Sequence, residues 1–230
     1  MSSPDRPVVV VTGASSGLGE AVAWAAHRAG WQPAALDVRP PAGPWPYQQV
    51  DLASAKDAEQ ALRRVGDDLG RIDAVVTSAG IDVPGHLAEL DTDTWERVVA
   101  VNLLGTAAVI RAALPWLIPA RGKVVTVSST LGHRAVGGAT AYCASKFGVV
   151  GFTRALTAEL QGRVGVTLLT PGGMETHFFD RREAQYRPGP DADLADPQRV
   201  AAAVVVALEQ APGCEIRELV VTSPQESSWP

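Results

Sequence analysis

Cysteine is nearly absent from this 230-residue chain, which has only Cys143 and Cys214. Two cysteines exclude a disulfide scaffold, and no Cys/His cluster has metal-ligand spacing, so no metal is expected. Lysine is scarce too, three residues against 17 arginines, and tyrosine also numbers three. Positive charge is not in excess: the net charge is −5, with no basic stripe, which argues against nucleic acid as a partner. No stretch of about 18 apolar residues marks a membrane span. Met1 to Pro7 lacks the apolar core of a signal region. No repeat or linker divides the chain. The expectation is a single domain spanning residues 1–230 in the reducing cytoplasm, with a hydrophobic fraction of 46% sufficient for its core.

What is present is alternation. Short β-branched runs are expected as strands at Val8–Val11, Pro33–Leu36, Tyr47–Val50, Ala74–Thr77, Lys123–Val127, Val164–Leu169 and Glu218–Thr222. Helices are expected over Glu20–Ala29, Ala55–Leu69, Thr94–Leu114 (bent near Asn102–Gly105), Thr140–Leu160 and Pro197–Glu209. This order predicts an α/β, three-layer, doubly wound parallel sheet of about seven strands. Two segments break the rhythm. Arg39 to Pro46 holds four prolines and offers no helix between the second and third strands. Thr176 to Ala195 is polar, interrupted by Pro188-Gly189-Pro190, and reads as a substrate lid or a solvated surface loop.

The segment Thr12-Gly13-Ala14-Ser15-Ser16-Gly17-Leu18-Gly19 follows a strand and opens a helix. Small residues there let backbone approach a pyrophosphate, and the helix terminus supplies free N–H groups. Asp37 ends the second strand, 18 residues after Gly19. An acidic group at that place binds ribose hydroxyls and repels a 2′-phosphate, which favours NAD over NADP. Arg39 pulls the other way, since it can meet a phosphate.

Tyr142 and Lys146 stand four residues apart, on one face of the expected helix. An ammonium beside a phenol lowers the phenol's pKa from about 10 and makes it a proton donor and acceptor near neutrality. A lysine here, in a chain that otherwise uses arginine, suits a proton relay.

With these motifs in this order, the chain resembles the short-chain dehydrogenases/reductases of the shorter type. Their Thr-Gly-x-x-x-Gly-x-Gly turn is matched by Thr12, Gly13, Gly17 and Gly19, and their Tyr-x-x-x-Lys by Tyr142 and Lys146. Their serine is matched by Ser129, their helix asparagine by Asn102, an Asp-Leu pair by Asp51 and Leu52, and a Pro-Gly with a following threonine by Pro171, Gly172 and Thr176. Thr77-Ser78-Ala79-Gly80 departs from the usual Asn-Asn-Ala-Gly, with Ser78 expected to keep the turn by bonding backbone.

The resemblance implies an NAD(P)-dependent oxidoreductase interconverting a secondary alcohol and a ketone. Tyr142 is the implied acid/base, Lys146 its pKa-lowering partner, Ser129 the holder of the substrate oxygen, and Asn102 the anchor of a relay water. Gly13, Ser15, Ser16, Gly17, Leu18, Gly19, Asp37, Asp51, Leu52, Ala79, Gly80, Pro171, Gly172 and Thr176 would line the cofactor, with Tyr142 and Lys146. A homodimer or homotetramer built on the two long helices is also implied. The alternative is a non-catalytic dinucleotide-binding regulator or scaffold. Phe178, Phe179 and Tyr186 suggest an apolar wall and a small-to-medium hydrophobic substrate. Arg181, Arg182 and Arg187 are expected to face solvent, with contact to an acidic substrate as the alternative, and His133 and His177 to lie near the substrate entrance.

Overall fold

Valine-rich runs buried on both faces form the centre of the molecule, as parallel strands require. The computed structural model describes residues 6–180, 182–211 and 213–229. Met1 to Asp5 and Arg181, both invoked above, lie outside the described residues. Seven strands, β1 (Val8–Thr12), β2 (Gln32–Asp37), β3 (Tyr47–Gln49), β4 (Ala74–Thr77), β5 (Lys123–Val127), β6 (Gly165–Pro171) and β7 (Glu218–Val221), make one sheet in the order β3-β2-β1-β4-β5-β6-β7. Every pairing is parallel.

Side chains alternate between two cores. Val8, Val10, Leu36, Val75, Val124 and Val166 face helices α2 (Ala55–Leu69), α4 (Thr106–Ala120) and α5 (Thr140–Glu159). Val9, Val11, Ala35, Val76, Val125 and Leu169 face α1 (Gly17–Arg28) and α6 (Pro197–Leu208). This is the expected three-layer architecture. The strand order reverses between β1 and β4, which opens a crevice at their carboxyl ends.

The expected long helix is continuous from Thr92 to Ala120. It comprises α3 (Thr92–Val99), a π-helical segment (Ala100–Gly105) and α4. The anticipated bend is therefore a π-bulge, a distortion common at functional sites. The helix also runs past Leu114 and contains Pro115 and Pro119; neighbouring packing tolerates the two missing N–H donors. It is long and apolar enough by composition to cross a membrane, contrary to the sequence expectation, but Ala108, Val109, Ile110, Ala113 and Leu117 are fully engaged in the core.

Between β2 and β3 there is no helix, as expected. The link is held by Trp45, which is buried and packs edge-on against Trp24 of α1 at 4.8 Å. Helix α2 starts at Ser54, whose hydroxyl accepts from the Asp57 N–H, and stops at left-handed Gly70.

Candidate active site

The turn after β1 is shaped by contacts that tolerate no side chain. Gly13 has φ +69°, and a Cβ there would lie 2.8 Å from the Ala79 Cα; a Cβ on Gly19 would lie 2.1 Å from the Gly13 carbonyl oxygen. Two of the three motif glycines thus bring β1, α1 and the turn after β4 together. Ser78 sustains that junction as expected, donating to the Thr12 carbonyl at 2.5 Å, while Ala79 N–H donates to Thr12 Oγ1 at 3.0 Å. Ser16 sits at the amino end of α1 in extended conformation and makes no side-chain cap, so N–H groups of the first turn stay available to an anion. Leu18 is buried.

Asp37 stands beside this turn. Its carboxylate accepts from Ser15 N–H at 3.0 Å and from Arg39 N–H at 3.1 Å, and the Ser15 hydroxyl donates to the Arg39 carbonyl. Asp51 accepts from Ala53 N–H and pairs with Arg97 at 2.7 Å. Burial opposes the Asp51 charge, but those bonds outweigh it and hold the carboxyl below its ordinary value. Leu52 is in the core.

Tyr142, Lys146, Ser129 and Asn102 converge at the carboxyl ends of β4 and β5. Lys146 Nζ donates to the Val127 carbonyl at 3.0 Å and lies 5.6 Å from the Tyr142 ring centroid. Ser129 is close enough to the Tyr142 phenol to favour its ionised form, and its oxygen accepts from Leu131 N–H at 3.1 Å. Asn102, in the π-bulge, is 1% exposed. Its amide accepts from Ile81 N–H and donates to the Ile81 carbonyl and to Ser145 Oγ. Ser145 in turn donates to the Tyr142 carbonyl. Asn102 therefore clamps the strand-four turn to α5, and only one lone pair of its Oδ1 remains for a relay water. A Cβ on Gly80 would meet that Oδ1 and Lys146 Nζ at 3.4 and 3.5 Å.

One electrostatic expectation is reversed. Burial pushes the Tyr142 phenol up, and the nearby Asp82 carboxylate adds to this; Ser129 and Arg182 oppose it without prevailing. Lys146 is itself desolvated, which lowers its pKa to about 8 despite Asp82. The cost of burying a phenolate therefore outweighs the help expected from the neighbouring ammonium. In this state Tyr142 is a protonated phenol, ready to donate.

The loop after β6 packs against Tyr142 through Phe178, and sequence reasoning missed how it is held. Arg182 does not face solvent. It pairs with Asp82 at 2.6 Å, with side-chain exposures of 13% and 3%, and lies over the rings of Phe178 and Phe179 at 5.1 and 4.6 Å. Asp82 was not singled out at all: its partner is 100 positions away, and no local pattern marks it. Arg187 donates to the Arg182 and Asp180 carbonyls, fixing the loop rather than projecting freely. Phe178 packs on Tyr142 at 5.8 Å, giving the anticipated apolar wall, but one edged by an ion pair. Thr176 caps the following 3₁₀ turn, accepting from Phe178 N–H at 3.4 Å, and lies 3.5 Å from where a Gly17 Cβ would be.

His133 is bonded to Thr170 and packs edge-on against Trp229. His177 is exposed and paired with Asp180. The C-terminal segment also reaches the site. Glu226 accepts from Gly173 N–H at 2.7 Å, beside Pro171 and Gly172, and from the Ser228 hydroxyl, whose oxygen is bonded to Thr130 Oγ1 at 2.6 Å, next to Ser129.

The residues present fit a dinucleotide. Unpaired N–H groups at the start of α1, the Asp37 carboxylate and the Tyr142–Lys146 pair lie along one edge of the sheet, in the order a dinucleotide needs. A cavity of ≈ 530 Å³ borders Gly17 and Thr176 but extends outward between Trp24 and Gln198. It meets this track only at its rim, and Tyr142 is not in its walls.

The family profile described as short chain dehydrogenase matches residues 7–187. The chain belongs to the short-chain dehydrogenase/reductase family. D-threitol dehydrogenase of Mycolicibacterium smegmatis is 34% identical over 87% of this chain and 85% of its own length. Meso-2,3-butanediol dehydrogenase of Serratia marcescens is 32% identical over 76% of this chain and 74% of its own. An alcohol dehydrogenase of Thermococcus sibiricus, solved with 5-hydroxy-NADP, superposes with a TM-score of 0.81 at 25% identity, covering 96% of this chain and 97% of that one. As a member of this family the present short-chain dehydrogenase/reductase is an NAD(P)-dependent oxidoreductase that works by hydride transfer on a small-molecule substrate.

Proposed function

We propose that this short-chain dehydrogenase/reductase interconverts a secondary alcohol and a ketone, with Tyr142 as the proton-transfer group and NAD as the favoured cofactor. The observation that carries the reading is a buried phenol, within reach of Ser129 and flanked by Lys146, at the carboxyl end of β5. The bound dinucleotide supplies or takes up the hydride. Tyr142 gives its proton to the carbonyl oxygen in reduction and accepts it back in oxidation. Ser129 holds that oxygen while charge develops on it. Lys146, fixed to the Val127 carbonyl, returns a proton toward Tyr142. Asn102 keeps α5 and the strand-four turn in register. A scaffold without turnover has no use for all four groups together.

Asp37 supports NAD, because a carboxylate beside the glycine turn would repel a 2′-phosphate. The 176–195 loop acts as the substrate lid. Exposed Leu104 and Phe147, on the π-bulge and α5, support a homodimer or homotetramer through the long helices, which a solution mass above 24.1 kDa would bear out. Two unpaired cysteines, Cys143 and Cys214, suit a cytoplasmic setting.

The test is Tyr142→Phe. Ketone reduction is expected to fall by about a thousandfold or more, with calorimetric NADH binding unchanged and NADPH bound more weakly than NADH. Retained turnover removes Tyr142 from its role, and equal affinity for the two cofactors removes Asp37 from its own.

A further inference from the structure

The buried ion pair beside Tyr142 is a polar cluster that the hydride-transfer scheme does not use. Arg182 and Asp82 share a single bond, between the Arg182 guanidinium NH2 and Asp82 Oδ2 at 2.6 Å. Of the remaining polar positions, Arg182 Nη1 donates to the Tyr186 carbonyl at 3.3 Å, whereas Asp82 Oδ1 and Arg182 Nε are buried without a hydrogen-bond partner. Buried polar atoms are normally paired, so such an exception needs an explanation. Two orphans of opposite kind, an acceptor and a donor, belong to one residue pair within electrostatic reach of the catalytic phenol.

The chemistry of these orphans selects the ligand. A carboxylate or phosphate accepts only, and would face Asp82. An ammonium donates only, and would face Arg182. A hydroxyl does both, donating to Oδ1 and accepting from Nε. We propose that Asp82 and Arg182 form a hydroxyl-recognition site, so that the substrates are ketones and alcohols carrying a second hydroxyl group next to the reacting carbon. This deepens the alcohol–ketone reading and rests on it.

Three further features agree with that assignment. Phe178 and Phe179 flank the guanidinium and offer apolar surface to the carbon skeleton while the pair takes the hydroxyl. Burial raises the Asp82 carboxyl in spite of Arg182, the Val83 N–H and Lys146, so the charge is not fully compensated. Arg182 also sits on the loop over the site, where its carbonyl is held by Arg187, so the same loop that covers the substrate brings in half of the recognition pair. A site built to bond a hydroxyl rejects the analogue lacking it far more strongly than an apolar pocket rejects a missing methylene.

Steady-state reduction of matched ketones tests this: acetoin against butanone, and hydroxyacetone against acetone. The wild-type enzyme is expected to favour the hydroxyketone of each pair by about a hundredfold or more in kcat/KM. Asp82→Ala is expected to bring both ratios below about threefold, and Arg182→Lys to lower them in between. Circular dichroism checks the fold of each variant, and the wild-type ratios stand whether or not the variants fold. Wild-type ratios near one overturn the proposal alone. Variants that slow hydroxylated and plain ketones equally also overturn it, leaving the pair as a loop latch. No reduction of any of the four ketones by an enzyme that binds NADH overturns the alcohol–ketone reading and this proposal with it.

Discussion

The two walls of the crevice are built to different standards. On the α5 side, Asn102, Ser145, Lys146 and the Ile81 backbone form a buried network in which nearly every donor and acceptor is matched. On the opposite side, the loop after β6 carries Arg182 into a buried pair that leaves one atom of each partner unmatched. A satisfied network is rigid; a half-satisfied one is poised for a ligand. Proton transfer needs fixed geometry, whereas recognition of a substrate that must enter and leave does not. The chain thus divides preorganisation and accommodation between two elements that meet over Tyr142.

Breaking the matched wall has the larger effect. Asn102→Ala strands the Ile81 N–H and carbonyl and removes a donor to Ser145. It is expected to destabilise the protein by about 3 kcal/mol, a fall in Tm of roughly 6–12 °C, and to reduce kcat. Calorimetry showing a loss under about 1 kcal/mol would mean that the π-bulge is held by packing alone.

The loop side is expected to respond more weakly and in a pH-dependent way. Burial disfavours the Glu226 charge, but hydrogen bonds from Ser228 and the Gly173 N–H outweigh it, so its pKa lies below the ordinary 4.5. A depressed carboxyl contributes stability that is present above its unfolded pKa and is lost as the pH falls through its folded one. Glu226→Gln is therefore expected to lower stability by about 1 kcal/mol or less near pH 7, with the gap to wild type closing in acid below about pH 4. Urea unfolding across that range measures it. A gap that widens in acid would contradict the charge-assisted bond to Gly173.

Much of this was legible in the chain itself, for local reasons. The glycine turn, the four-residue spacing of Tyr142 and Lys146, and the helix break around Asn102 are patterns within a few residues, and the structure gathers them on one sheet edge. The helix-free link before β3 was legible from its prolines. The plug that holds it, Trp45 against Trp24, was not, because nothing near Trp45 names its partner. The same holds for Asp82 and Arg182. A charged residue in a polar loop reads as solvated until folding supplies a buried counterpart from far along the chain. The direction of the Tyr142 shift was missed for a related reason: spacing reveals a neighbour's charge, while desolvation depends on everything packed around it.

Cys143 packs with Ala139, Ala141 and Tyr142 at 7% exposure, and Cys214 is exposed in the link between α6 and β7. The enzyme therefore carries two thiols with opposite access to reagents. An alkylating agent reaches Cys214 at once, but meets Cys143 only when the segment bearing Tyr142 opens. The slower labelling rate is a built-in clock for how often the catalytic helix lets solvent in.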